Sequence, residues 1–321
     1  MEQSLEYKRA RGPFCHALPA LPLCIAVVMV VGVMVGAACA SENGASVYPV
    51  GVETVMPGMA PPPHATMFYE YTASVSANQT DGANGKPEPI PEFKLRVFAV
   101  AFKVTHNWGW KFLGGTVESN VAVPFVHQEL HVPPGKFTKL AVGNIAVSPL
   151  GLRYARGRWH FFYEGDIFFP GTGRSAHDVL NIGQNNYAAG PVGGFTYLRG
   201  REELSSKLQY IANLKDAANN YQSGNEFTWE FDGMHGICKK VAVGVNGFLY
   251  RQTTDDKMAD VVFNNGNRGR DLGIGPEVRF NMITHGGFAF KYLRDTMVEN
   301  RAPTNAFWFQ LAVPITIGHK E

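Results

Sequence analysis

An alternation near the C-terminus constrains this chain more than any other feature. Phe307, Phe309, Leu311, Val313, Ile315 and Ile317 occupy every second position without a break. A period of two puts all six on one side of a β-strand. The same rhythm recurs upstream. In 159–169, Trp159, Phe161, Tyr163, Gly165, Ile167 and Phe169 alternate with a face that carries His160, Glu164 and Asp166. In 227–232, Phe227, Trp229 and Phe231 alternate with Thr228, Glu230 and Asp232, and in 272–282 Leu272, Ile274, Val278, Phe280 and Met282 oppose Glu277 and Arg279. In 66–76, Tyr69, Tyr71, Ala73 and Val75 share one face and Glu70, Thr72, Ser74 and Ser76 the other.

Such faces are too long and too aromatic for the solvent side of a soluble sheet. A soluble β-sandwich or lipocalin-like barrel would keep the period but turn a polar face outward. Apolar faces on nearly every strand, with the charges opposite, are the pattern of a membrane barrel with a wet interior. Composition agrees: charged residues are 17% of the chain and aromatics 12%, against about a quarter charged in soluble domains. A net charge of +2 speaks against a nucleic-acid partner, which selects a basic face.

The first forty residues read separately. Lys8, Arg9 and Arg11 precede an apolar run densest over 21–35, and Ala38-Cys39-Ala40 supplies a small-x-small cleavage pattern. This is the anatomy of a cleaved secretory signal peptide, and it is favoured over an N-terminal anchor or a lipoprotein signal. Beyond it no apolar run approaches the ~20 residues of a membrane helix. A mature chain that crosses a membrane must therefore do so as a closed barrel, which satisfies its own backbone. Cys15, Cys24 and Cys39 lie in the signal and only Cys238 remains, so the mature fold has no internal disulfide.

The expected organisation is a signal peptide over 1–40, a Pro/Gly-rich segment over 41–64 and a barrel over 65–321. The fold class is all-β: a transmembrane antiparallel up-and-down barrel of about 12 strands, with short periplasmic turns and long extracellular loops. Short connections are expected at 107–110, 156–158, 199–202, 234–238 and 284–287, and long ones at 78–91, 126–139, 170–186, 216–224, 252–269 and 298–303. The segment 41–64 contains Met56-Pro57-Gly58 and Pro61-Pro62-Pro63. Prolines exclude it from a central strand, which leaves a polyproline-like segment leading into the barrel or a short partial plug in the lumen, the second slightly favoured.

Catalytic signals are weak. His127, Glu129 and His131 would share a strand face, but lack the helical spacing of metalloproteases. Ser175, His177 and Asp178 crowd one loop without triad geometry. There is no P-loop or dinucleotide fingerprint, so neither enzyme nor cofactor nor metal is expected. The lumen candidates are Glu70, Glu118, Arg153, Glu164, Asp166, Glu230, Glu277 and Arg279, which fall on the polar face in this register. Mutual pairing that fills the interior is favoured over an open polar constriction.

Specific residues also carry a family resemblance. The run Ser46-Val47-Tyr48-Pro49-Val50-Gly51, followed by Pro57-Gly58, Pro61-Pro62-Pro63, Tyr69, Tyr71 and Asp81-Gly82, resembles the start of the outer-membrane transporters named for the meta-pathway of phenol degradation. Tyr221-Gln222-Ser223-Gly224-Asn225-Glu226 is similar to a hairpin tip of that family. Lys291-Tyr292, Asn300-Arg301 and Phe307-Trp308-Phe309-Gln310-Leu311 resemble its last two strands. The resemblance implies a barrel in the bacterial outer membrane, passive uptake of small hydrophobic or aromatic compounds, and contact with outer-membrane lipids and the barrel-insertion machinery. The competing class is a non-conducting structural or surface-interaction barrel that works through its extracellular loops.

Overall fold

A computed structural model describes residues 39–40, 45–88, 90–133, 135–173, 178–282 and 286–315. The expected signal peptide lies outside them apart from Cys39 and Ala40, whose backbone pairs with Ser223. Twelve strands make one antiparallel wall: β1 (Thr66–Ala77), β2 (Lys94–Phe112), β3 (Gly115–Val132), β4 in two segments (Gly135–Val142 and Ile145–Arg156), β5 (Trp159–Phe169), β6 (Ala188–Arg199), β7 (Glu202–Asn213), β8 (Glu226–Gly236), β9 (Val241–Gln252), β10 (Arg270–Asn281), β11 (Gly287–Asp295) and β12 (Asn305–Ile315). Each strand pairs with its neighbours in sequence. β12 then closes on β1 from Asn305 opposite Ser76 to Ile315 opposite Thr66. Closure leaves no strand edge, the condition for β-structure in lipid.

The connections at one end are tight: 113–114, 157–158, 200–201, 237–240 and 282–286. Gly157 and Gly200 turn with φ of 61° and 65°, values that cost glycine little. At the other end lie 78–93, 170–187, 214–225, 253–269 and 296–304. Short turns mark the periplasmic end and long loops the extracellular one. Two expected connections are strand instead. Residues 126–139 are not a loop: β3 and β4 run on together as a ribbon pairing Phe125 with Val142 and Val132 with Gly135. Pro133 and Gly135 lie at its tip. Nor does the chain turn at 107–110, where β2 continues to Phe112 through an irregularity between Asn107 and Lys111. That bulge absorbs the break in alternation.

The outer face is apolar on eleven of the strands. Phe98, Phe102, Tyr163, Leu208, Phe290 and Phe307 are all exposed there. Near the short-turn end Trp159 lies 4.5 Å from the Tyr197 ring, and Trp108 stacks on Trp110 at 5.3 Å. Aromatic girdles of this kind sit at membrane–water boundaries.

β1 reverses the expected assignment of its faces. Met67, Tyr71 and Ala73 are buried inside the barrel, whereas Phe68 stacks on the exposed Phe102 at 5.7 Å. Glu70 therefore faces outward with Thr72, Ser74 and Ser76, and it is not a lumen residue. The cause is inside: Tyr71 and Ala73 pack against Val47, Tyr48 and Val52 of the N-terminal segment. That segment gives the apolar side of β1 a partner other than lipid. A charge placed on the ordinary apolar face should be costly. Leu208→Arg, near the middle of β7, is expected to lose about 2–4 kcal/mol relative to wild type, read from urea unfolding out of liposomes, whereas Leu208→Met stays close to wild type.

Candidate functional site

An eight-stranded barrel is about filled by its own side chains, and wider barrels must be plugged or left open. Here residues 45–64 occupy the lumen. At the long-loop end the Ala45 carbonyl accepts from Gln184 Nε2 at 3.1 Å, and the Ser46 hydroxyl donates to Glu226. At the short-turn end Asn107 Nδ2 donates to the Pro61 carbonyl at 2.7 Å. The segment thus traverses the barrel before β1 begins. Prolines suit it, because an extended chain in a lumen has no ladder to donate to.

Three lysines on the inner wall hold it. Lys207 on β7 donates to Tyr48 Oη at 2.8 Å and to Glu53 at 2.5 Å. Lys103 on β2 pairs with the other Glu53 oxygen. Lys291 on β11 donates to the Gly51 and Val52 carbonyls at 3.0 and 2.9 Å and to Thr54 Oγ1 at 3.0 Å. All three of its protons are thereby directed at the plug. Glu230 on β8, with 0% exposure, accepts from Tyr48 Oη at 2.8 Å and from the Gly51 amide at 2.6 Å. Burying these charges is tolerable only because each is paired and hydrogen-bonded.

Burial alone would raise the Glu53 carboxyl from its ordinary 4.5, but the ammonium groups of Lys103 and Lys207 outweigh it and hold the group far below the carboxylate range. Burial, then the nearby carboxylates of Glu230 and Glu53, push the Tyr48 hydroxyl well up. It stays protonated and able to donate.

Seven of the eight lumen candidates lie on the inner face. Arg153 joins Glu118 at 2.7 Å and Glu164 at 3.3 Å, and its remaining arm donates to the Pro57 carbonyl at 2.7 Å. Asp166 accepts from Gln209 at 2.8 Å and from the Ser148 hydroxyl. Arg279 pairs bidentately with Glu203, and Glu277 is buried on the same strand. Glu230 is a plug anchor, as above; Glu70 is the exception. Sequence reasoning missed Glu53, Lys103, Lys207 and Lys291. The lysines carry a usable signal: each is a lone cation between apolar or small residues in a strand, as in Phe290-Lys291-Tyr292. Glu53 carries none, because 45–64 has no periodicity.

The plug leaves space at its lower end. A cavity of about 370 Å³ lies between 55–62 of the plug and the inner faces of β1, β10, β11 and β12. Met56, Met59, Met67 and Met282 line it with Tyr69, and Arg279 and Gln310 give it a polar edge. Of the weaker sequence signals, Glu129 pairs with Lys136 at 2.9 Å on the projecting ribbon, and no metal-binding group of three His, Cys, Asp or Glu occurs among the described residues. Ser175 and His177 fall outside those residues.

The chain is similar to known proteins in both family and fold. Residues 76–311 match the family model described as the MetA-pathway of phenol degradation. The fold is similar to the COG4313 outer membrane channel from Pseudomonas putida F1, with a TM-score of 0.69 at 13% identity over 84% of this chain and 100% of that one. Looser likenesses include the translocator domain of the autotransporter NalP from Neisseria meningitidis, with a TM-score of 0.45 at 10% identity over 91% of this chain and 97% of that one. Another is a Pseudomonas aeruginosa FadL homologue, with a TM-score of 0.38 at 9% identity over 79% of this chain and 90% of that one. No curated protein matches the chain.

Two substitutions probe the seating of the plug. A Cβ on Gly58 would lie 2.5 Å from the Thr196 amide nitrogen and closer still to the His160 carbonyl. Gly58→Val should therefore unseat the lower plug, seen as proteinase K cleavage within 45–64 of an otherwise folded barrel. Glu53→Ala takes the carboxylate partner from Lys103 and leaves Lys207 with only Tyr48 and the more distant Glu230, and is expected to cost about 3–5 kcal/mol, measured by urea unfolding. The Glu53 contribution is full above pH 4.5, the ordinary value, and is lost only as pH falls through the lowered one. Acidification from pH 7 to 5 should leave the plug protected from protease.

Proposed function

The chain belongs to the MetA-pathway of phenol degradation family, and on that premise we propose that it is an outer-membrane channel for passive uptake of small hydrophobic or aromatic compounds, closed at rest by its own N-terminal segment. The observation that carries this reading is the plug itself. Among the described residues it continues into a strand of the wall only through residue 65, and its Glu53 and Tyr48 are held by lysines that can be re-solvated when it moves. The segment spans the lumen without pairing as a strand of the wall, so its departure would leave the barrel closed.

The chemistry of the solute follows from the lower cavity. Methionine side chains are flexible and polarisable and make favourable contacts with aromatic rings. A space of about 370 Å³ falls within the range of small-molecule sites. The polar edge formed by Arg279 and Gln310 would orient a phenolic or carboxylate group. Glu118, Arg153, Glu164, Asp166, Glu230, Glu277 and Arg279 then form the polar wall that such a solute passes, with Arg153 and Glu230 also holding the plug.

One observation favours the second reading, a non-conducting barrel that acts through its loops. Lys207 and Lys291 are each only 2% exposed against the plug, so the resting lumen is tightly packed. Liposome swelling separates the two. Wild-type protein should pass small aromatics slowly and sugars hardly at all. Lys291→Met, which removes three contacts to the plug, should raise the aromatic rate by about tenfold while the heat-modifiable gel shift is retained. Liposomes that stay sealed to aromatics with both proteins would refute uptake and leave the structural reading standing.

A further inference from the structure

The outer face of β1 breaks the rule that every other strand keeps. Its outward residues are Thr66, Phe68, Glu70, Thr72, Ser74 and Ser76. On either side the wall is apolar. Glu70 lies between Phe102 and Leu311, Thr72 between Val100 and Phe309, and Ser74 between Phe98 and Phe307. A ribbon of hydroxyls with one carboxylate thus crosses a surface otherwise built for hydrocarbon.

This ribbon reaches the middle of the bilayer. Trp108 marks the short-turn boundary on β2, and Phe102 lies six residues further along the same strand. At a rise of ~3.3 Å per residue and a tilt of ~40°, Phe102 stands about 15 Å above that boundary. Glu70, its cross-strand neighbour, is therefore near the centre of an apolar band ~25 Å tall. One contact is internal, since the Thr72 hydroxyl donates to Glu70. Lipid tails have no donor for the second carboxylate oxygen and no partner for the hydroxyl of Ser74.

We propose that this face of β1 is the contact between two copies of the chain, side by side in the membrane and related by a twofold axis along its normal. A hydroxyl both donates and accepts, so a Ser/Thr patch is complementary to itself, as a twofold interface requires. Two strands with the same tilt cross under that symmetry, which brings Thr72 and Ser74 of one copy onto the same residues of the other. Their small side chains permit close approach of the walls. Phe98, at 52% exposure, and Phe307, at 63%, flank the crossing and form an apolar rim around it. Soluble proteins cannot reach this depth, and lipid cannot satisfy it.

The experiment uses the full chain in its native membrane, with Cys238→Ser removing the exposed thiol of the turn 237–240. In that background Thr72→Cys and Ser74→Cys are oxidised in separate samples, with Leu208→Cys on the far wall as control. At least one β1 cysteine should give a disulfide-linked dimer, and the control none. Native mass spectrometry of wild type in lipid should show the dimer. The triple change Glu70→Leu, Thr72→Val and Ser74→Val should abolish it while retaining the heat-modifiable gel shift of a folded barrel. Absence of crosslinks at both positions, a wild-type monomer, or a dimer that survives the triple change would each overturn the proposal. A crosslink to a species of a different mass would assign the face to another membrane protein instead.

Discussion

Everything in this structure follows from the closure of β12 on β1. Lipid offers the backbone no hydrogen bonds, so a strand wall must end on itself. Twelve strands are too many for side chains alone to fill the resulting bore. The interior therefore needs either water or a segment of chain, and residues 45–64 supply the second. That one requirement explains the buried lysines, the proline-rich approach and the inverted faces of β1.

The plug is held mainly by charge, with an apolar patch for register. Val47, Tyr48 and Val52 pack with Tyr71, Phe248, Leu293 and Trp308, which fixes the upper half. Beside and below them the contacts are ionic or hydrogen bonds to the main chain of the plug, as at Lys291, Arg153 and Thr196. Buried pairs of this kind add little net stability compared with apolar packing, but breaking one is expensive. The plug is thus well defined in position without being bound as a core would be. The methionine-lined space lies beside residues 55–62, below the anchors of Glu53.

Much of the wall was legible because lipid imposes a period. The alternating aromatics of β5, β8, β10 and β12 mark both the strands and their outer faces. β1 shows the limit of that logic. A period of two separates two faces but does not say which is outside. Tyr69 and Tyr71 were assigned to lipid because lipid is the usual apolar partner, and Glu70 was carried inward with them. The deciding contact, Tyr71 against Val47 and Val52, links residues whose pairing no periodicity reports. The ribbon of β3 and β4 was hidden for a simpler reason: Pro133-Pro134-Gly135 reads as a loop in the sequence, whereas strand pairing continues as far as Val132 opposite Gly135. Of the plug anchors, the lone strand lysines were visible in principle, whereas Glu53 gains its meaning only from them.

The path of the plug also restricts the ways in which the barrel can be assembled. Its lower end runs directly into β1, the first strand made, and its upper end reaches the opposite mouth of the barrel. β12, the last strand made, seals the wall by pairing with β1. Once that seam is shut, a segment threaded from end to end cannot be laid in from the side. Two routes to its seat are left: the segment lies across the sheet while the wall is open and the later strands wrap around it, or it enters end-on through a mouth, as a plug that moves in the closed barrel also does. On the first route the plug is a mandrel as well as a stopper: Lys103, Lys207 and Lys291 come from the second, seventh and eleventh strands, and each finds its partner on the segment as its part of the wall arrives.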